Sequence, residues 1–164
     1  MNSLKLYIAG KLCHQLPETS FFGFKRSLYR WAGVKVGNSA RICSSVKIIG
    51  VGQLEIGDNT WLGPNTLISA SSTIKIGANC DIAPRVFIGN GTHVIDTSST
   101  NVAGVGKSLP VEIGDGCWLC VNCTILPGAK IGNKCIIAAG AIVKGEVPSL
   151  ELWGGVPAKK IRSL

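Results

Sequence analysis

Aliphatic residues recur every sixth position through most of the chain. The anchors are Val36, Ile42, Ile48; Ile56, Leu62, Ile68; Ile76, Ile82, Ile88; Ile113, Leu119, Ile125; and Ile131, Ile137, Val143. Four residues after each comes a small or β-branched residue, from Ala40, Val46 and Gly52 through Thr60, Thr66, Ser72, Cys80, Val86 and Thr92 to Cys117, Cys123, Ala129, Cys135, Ala141 and Val147. A six-residue period suits neither an amphipathic helix nor a simple alternating strand. It predicts a brief strand and a corner per hexad, with three hexads closing a triangular coil. Each coil buries its apolar side by stacking on its neighbours. Parallel strands stack about 4.8 Å apart, so five coils make a prism about 24 Å tall. Gly often follows the anchor, as in Ile56-Gly57, Ile76-Gly77 and Ile113-Gly114. There it is expected to supply backbone conformations that other residues resist.

The exceptions to the period carry information too. Anchor spacing is eight between Ile48 and Ile56, eight between Ile68 and Ile76, and twenty-five between Ile88 and Ile113. Each break follows a third hexad, so all three fall on one edge of the prism. The last predicts an extruded loop over 94–112, and long loops in compact domains are usually functional. Residues 1–35 lie outside the repeat, with helical spacing over Leu4 to His14 and Ser20 to Ala32 around a Leu16-Pro17 break. They are expected to form an N-terminal helical cap; contact of these basic helices with a membrane surface is the alternative. The repeat then occupies 36–148, followed by a C-terminal tail over 149–164. The expected class is an all-β solenoid of about five triangular coils.

Composition narrows the setting. The chain has 164 residues, 46% of them hydrophobic, 16% charged and 21 of them Gly, which argues for one packed domain and against disorder. The start, Met1-Asn2-Ser3-Leu4-Lys5, shows no signal-peptide pattern, and no apolar run reaches membrane-spanning length, so a cytoplasmic protein is expected. A formal charge of +8 points to an anionic partner: a phosphate-rich cofactor, nucleic acid or anionic lipid. Nucleic acid fits poorly, because aromatic residues are not interleaved with the basic ones. Four of the seven cysteines, Cys80, Cys117, Cys123 and Cys135, occupy small-residue slots, where a reduced thiol packs as a small hydrophobe. The hexad puts Cys117 and Cys123 on successive faces, against a shared zinc.

The hexads, the long loop after Ile88 and the segment Trp153-Gly154-Gly155-Val156-Pro157-Ala158-Lys159-Lys160-Ile161 together resemble the hexapeptide-repeat acyltransferases. The likeness is greatest to galactoside and maltose O-acetyltransferases and to capsule or lipopolysaccharide O-acetyltransferases. It implies a left-handed parallel β-helix, a homotrimer with sites between neighbouring prisms, acetyl-CoA as acyl donor, no metal, and a histidine general base near the extruded loop. His93, in Asn90-Gly91-Thr92-His93, is the matching residue; the other histidine, His14, lies in the predicted cap. An imidazole exchanges protons near neutral pH, which suits removal of a proton from an acceptor hydroxyl. Asp96 or a backbone carbonyl would orient its ring.

The resemblance also implies that Trp118 lies beside the CoA pantetheine arm and that backbone at Ala139 and Gly140 contacts that arm. Lys144, Lys159, Lys160 and Arg162 are the implied partners of CoA phosphates. There are departures. A serine sometimes found three residues beyond the tryptophan is Val121 here, and an asparagine of galactoside-type enzymes aligns with Gly63, leaving Asn65 as a substitute. Both leave acceptor positioning open. The expected activity is O-acetylation of a sugar hydroxyl, as in surface-polysaccharide synthesis. The alternatives are acetylation of an antibiotic or amino sugar, and a non-catalytic scaffold. γ-Type carbonic anhydrases share the prism but need three zinc-binding histidines, and this chain has two.

Overall fold

A computed structural model describes residues 1–164. Two helices, α1 (Ser3–His14) and α2 (Phe22–Trp31), precede the coils. Coil 1 comprises β1 (Lys35–Val36), β2 (Arg41–Ile42) and β3 (Lys47–Ile49). Coil 2 has β4 (Gln53–Ile56), β5 (Trp61–Leu62) and β6 (Leu67–Ser69), and coil 3 has β7 (Thr73–Ile76), β8 (Asp81–Ile82) and β9 (Phe87–Gly89). An antiparallel hairpin follows, β10 (Gly91–Ile95) with β11 (Ala103–Ser108). Coil 4 is β12 (Val111–Ile113), β13 (Trp118–Leu119) and β14 (Thr124–Ile125); coil 5 is β15 (Lys130–Ile131), β16 (Ile136–Ile137) and β17 (Ile142–Val143). A partial sixth coil holds β18 (Glu146–Val147) and β19 (Glu151–Gly155), and β20 (Ala158–Ser163) folds back on β19. Three sheets result. Face 1 stacks β1-β4-β7-β12-β15-β18, face 2 stacks β2-β5-β8-β13-β16-β19-β20, and face 3 stacks β3-β6-β9-β14-β17.

All fifteen anchors are buried. The small slots hold for twelve of fifteen; Gly52, Ser72 and Thr92 are partly exposed, because the chain has already left the prism at the long edge. The coil count is a correction to the expected five. Val147 pairs with Ile131 and Trp153 with Ile137, so part of the presumed tail continues the solenoid. The step from Val143 to Val147 is only four residues, which hides this coil from a search for sixes. That short step and the three long ones all lie on the edge between face 3 and face 1. The glycines have a different reason from the expected one. Gly57, Gly77 and Gly114 are not in the left-handed region, but a Cβ on them would stand 2.3–2.4 Å from atoms of the next coil. Positive φ appears instead three residues after an anchor, at Asn59, Asn65, Asn79, Arg85, Gly116, Asn122, Lys134 and Gly140.

The ladder between coils has a direction. Each coil donates N–H groups to carbonyls of the next, as in Arg41 N to Thr60 O (2.8 Å), Trp61 N to Cys80 O (2.8 Å) and Asp81 N to Cys117 O (2.9 Å). Coil 1 therefore has carbonyls with no earlier coil to donate to them, and buried carbonyls need partners. Helix α2 supplies them. Arg30 donates to Val36 O, Arg26 to Ala40 O and the Tyr29 hydroxyl to Val46 O. Lys25, fully enclosed, donates to the carbonyls of Pro17 and Glu18 and lies 5.2 Å from the Phe22 ring, and desolvation pushes its pKa down. Inside the prism, one column of slots runs Thr60, Cys80, Cys117, Cys135. Each donates to a carbonyl of the following coil: Gly77, Gly114, Gly132 and Pro148. The thiols are thus weak hydrogen-bond donors as well as packing groups.

Candidate active site

The hairpin rises from the edge between faces 3 and 1, and Asn90 builds its root. This side chain is wholly buried. Its Oδ1 accepts from Ser71 N (2.7 Å) and Ser72 N (3.3 Å), and its Nδ2 donates to Ser72 Oγ (2.9 Å) and Thr73 O (3.0 Å). Its carbonyl accepts from Leu109 N, where the chain returns. Three residues on, His93 is exposed on β10, and its Nδ1 lies 2.9 Å from the carbonyl oxygen of Gly104 on β11. A carbonyl only accepts, so Nδ1 carries the proton. Nε2 is left with a free lone pair, the form a general base requires.

Asp96 does other work. Its Oδ1 accepts from Ser98 N (2.9 Å), Ser98 Oγ (2.7 Å) and Ser99 N (3.2 Å), bonds that shape the hairpin tip. The Ser98 hydroxyl, before the backbone donors, holds the carboxyl below its ordinary value. The structure thus gives the orienting role to the Gly104 carbonyl, the other option the sequence left open, and not to Asp96. Neither Asn90 nor Gly104 was singled out in the sequence. A lone Asn between two glycines was the available signal for the first; a backbone carbonyl gives none.

The remaining predicted residues divide into three places. Lys144 shares the hairpin's edge, two coils further on and so about 10 Å along it. Asn65, Ala139 and Gly140 stand on the edge between faces 2 and 3; Asn65 is exposed, and a Cβ on Gly140 would meet nothing within 4 Å. Trp118 lies on face 2 with 52% of its surface exposed, in register with Ile136, Leu152 and then Arg162. Lys159 and Arg162 on β20 have no carboxylate partner, whereas Lys160 binds Glu151 at 2.6 Å. Glu151 also accepts from Trp153 Nε1 at 2.7 Å, and its pKa is lowered, first by the Lys160 bond and then by that of Trp153. The hairpin edge is opposite face 2 in a triangular prism. One chain therefore does not bring His93 and Trp118 together.

Comparison with known proteins bears on what such a prism belongs to. The family model "Bacterial transferase hexapeptide (six repeats)" matches residues 110–145, and "Hexapeptide repeat of succinyl-transferase" matches 53–92. Galactoside O-acetyltransferase of Escherichia coli is 30% identical over 176 residues, spanning 95% of this chain and 86% of that one. The chain belongs to the hexapeptide-repeat acyltransferases. A second member of the family, WcaF of Escherichia coli, is 30% identical over 154 residues, 90% of this chain and 82% of that one; its name assigns it provisionally as a colanic acid biosynthesis acetyltransferase. Among solved structures, a galactoside acetyltransferase in complex with coenzyme A superposes with a TM-score of 0.71 at 25% identity, covering 98% of this chain and 81% of that one. This acyltransferase thus has the left-handed β-helix of its family, and the extruded loop expected over 94–112 belongs to the hairpin of β10 and β11.

Proposed function

We propose that the protein is an acetyl-CoA-dependent O-acetyltransferase acting on a sugar hydroxyl of a surface polysaccharide or its precursor, with His93 as general base. The observation that carries this reading is the Nδ1 contact to Gly104 O, which leaves Nε2 free on an exposed hairpin. His93 takes the acceptor's hydroxyl proton at Nε2 as that oxygen bonds to the thioester carbonyl carbon. The C–S bond breaks, and the imidazolium returns the proton to the departing sulfur, giving acetyl ester and free thiol. The Gly104 carbonyl stabilises the imidazolium through the same hydrogen bond. Relatives named for galactoside and colanic acid acetylation support a saccharide acceptor.

The donor fits face 2. Trp118 offers an exposed ring, the open corner at Ala139 and Gly140 leaves backbone accessible, Arg162 brings an unpaired cation to the end of the Trp118 column, and Lys159 brings another opposite Gly154. Lys144 adds a cation on the opposite edge, and Lys160, held by Glu151, is the least available. Because His93 and Trp118 lie on opposite sides of one prism, a homotrimer that sets one chain's hairpin edge against the next chain's face 2 completes the site three times. Two measurements test the reading. Calorimetry should detect acetyl-CoA binding that weakens when Lys159 and Arg162 become Ala, and no binding by the wild type would overturn it. Acetyl transfer over a panel of saccharides should fall about 10²–10⁴-fold in His93→Ala while acetyl-CoA still binds; full activity in that variant removes the base assignment.

A further inference from the structure

We propose that the outer face of the N-terminal cap docks on the headgroup region of an anionic phospholipid bilayer. Helix α1 is apolar on two sides. Leu6, Ala9 and Cys13 are buried against α2 and the first coil, on one side. Leu4, Tyr7, Ile8 and Leu12, spaced i, i+3, i+4 and i+8, form a second stripe on the opposite side, with Leu4 67% and Tyr7 63% exposed. Helix α2 adds Phe24 and Trp31 to the exposed surface, and Phe21 precedes it. Lys5 Nζ sits 5.0 Å from the Trp31 ring, so the exposed parts of the two helices adjoin. An apolar stripe of this size on a helix normally has a partner, and nothing in the chain covers this one.

Charge selects the partner. Residues 1–34 hold five cations, Lys5, Lys11, Lys25, Arg26 and Arg30, against the single carboxylate Glu18, which is bonded to Ser45. A cleft of about 510 Å³ between α1 and coil 1 is lined in part by Lys11, His14 and Lys47. Aromatic and aliphatic side chains beside lysines on an outward helix face match the chemistry of the headgroup boundary, where apolar groups enter and cations meet lipid phosphates. At 12 residues α1 is about 18 Å long, which suits lying in that boundary and not crossing it. Arg26 and Arg30 are committed to coil 1 carbonyls, so the free cations are Lys5 and Lys11.

The experiment is flotation of the intact protein with phosphatidylcholine vesicles and with phosphatidylcholine–phosphatidylglycerol vesicles. Binding is expected to the second, to weaken with added salt, and to drop about fivefold for each of Lys5→Gln and Lys11→Gln. The combined Tyr7→Ser, Ile8→Ser, Phe24→Ser variant is expected to stay in the aqueous fraction while keeping its helical circular dichroism and its transfer to a soluble acceptor. Absence of wild-type binding to the phosphatidylglycerol-containing vesicles overturns the proposal. So does a wild-type assembly that becomes smaller in sedimentation when the three residues are changed, since the stripe would then be an interface between copies. Failure of acetyl transfer leaves the flotation result independent, because no cap residue belongs to the proposed catalytic site.

Discussion

At the scale of single residues, the proposed general base, His93, is held by a backbone atom, and this makes its geometry vulnerable at a residue with no side chain. A Cβ on Gly104 would stand 2.8 Å from Asp96 Cβ and 3.1 Å from Val94 O. Gly104→Ala must therefore shift β11 and withdraw the carbonyl from His93 Nδ1. The expected result is a fall in kcat of about tenfold or more with little change in acetyl-CoA affinity, since the residues proposed to hold the donor lie elsewhere. Equal loss of both would show that the hairpin serves donor binding. In the sequence, the largest break in the period marked the loop, and the family resemblance picked out His93 beside it. Its orienting partner was not legible there. Asp96 is three residues away and carries a suitable charge, but a local turn through Ser98 and Ser99 satisfies its carboxylate first, a competition that short polar side chains commonly win.

At the scale of elements, the period of six picked out the anchors of the first five coils, because an inward side chain is the one feature a two-residue strand must repeat. What it concealed was contact between coils. The glycine after the anchor is required by approach of the next coil, and a residue's own sequence neighbours do not show that. Gly114→Ala would put a Cβ 2.3 Å from Asn133 Oδ1 and 2.8 Å from Asn133 N. Overpacking of this kind costs about 1–3 kcal/mol, so its thermal midpoint should fall well below that of Gly106→Ala, where the added Cβ meets nothing within 4 Å. Equal midpoints would remove the contact argument. The last strand pair has its own latch, Lys160 to Glu151. The folded pKa of Glu151 is depressed, so its contribution is full above the unfolded carboxyl value of about 4.3 and is lost as pH falls through the lower folded value. Amides of β20 should therefore exchange faster at pH 3 than their intrinsic rates predict, and Lys160→Ala should abolish that extra pH dependence. A latch that is unimportant would leave the two proteins alike.

At the scale of the whole molecule, the three faces have different outward chemistry. Face 1 carries the register Lys35, Glu55, Lys75, Glu112, Lys130, Glu146, an unbroken alternation of sign suited to water. Beyond Lys47, face 3 presents Leu67, Phe87, Thr124 and Ile142 in register, and beyond Arg41, face 2 presents Trp61, Asp81, Trp118 and Ile136. Two sides thus have apolar area to place against neighbours, and one does not. In the proposed trimer, each site takes His93 from one chain and Trp118 from the next. That division can be tested by mixing. His93→Ala and Trp118→Ala chains, unfolded together in equal amounts and refolded, should assort at random. A site is then whole wherever a chain with His93 intact precedes one with Trp118 intact in the ring, the arrangement in about a quarter of sites. Transfer activity of the mixture should rise from the low level of either parent toward about a quarter of wild type. If one chain supplied both residues, every site in the mixture would lack one of them, and activity would stay at the average of the parents. The same outcome in a preparation shown by sedimentation to contain mixed trimers would place the donor on the hairpin's own prism, against the opposite positions of face 2 and the hairpin edge.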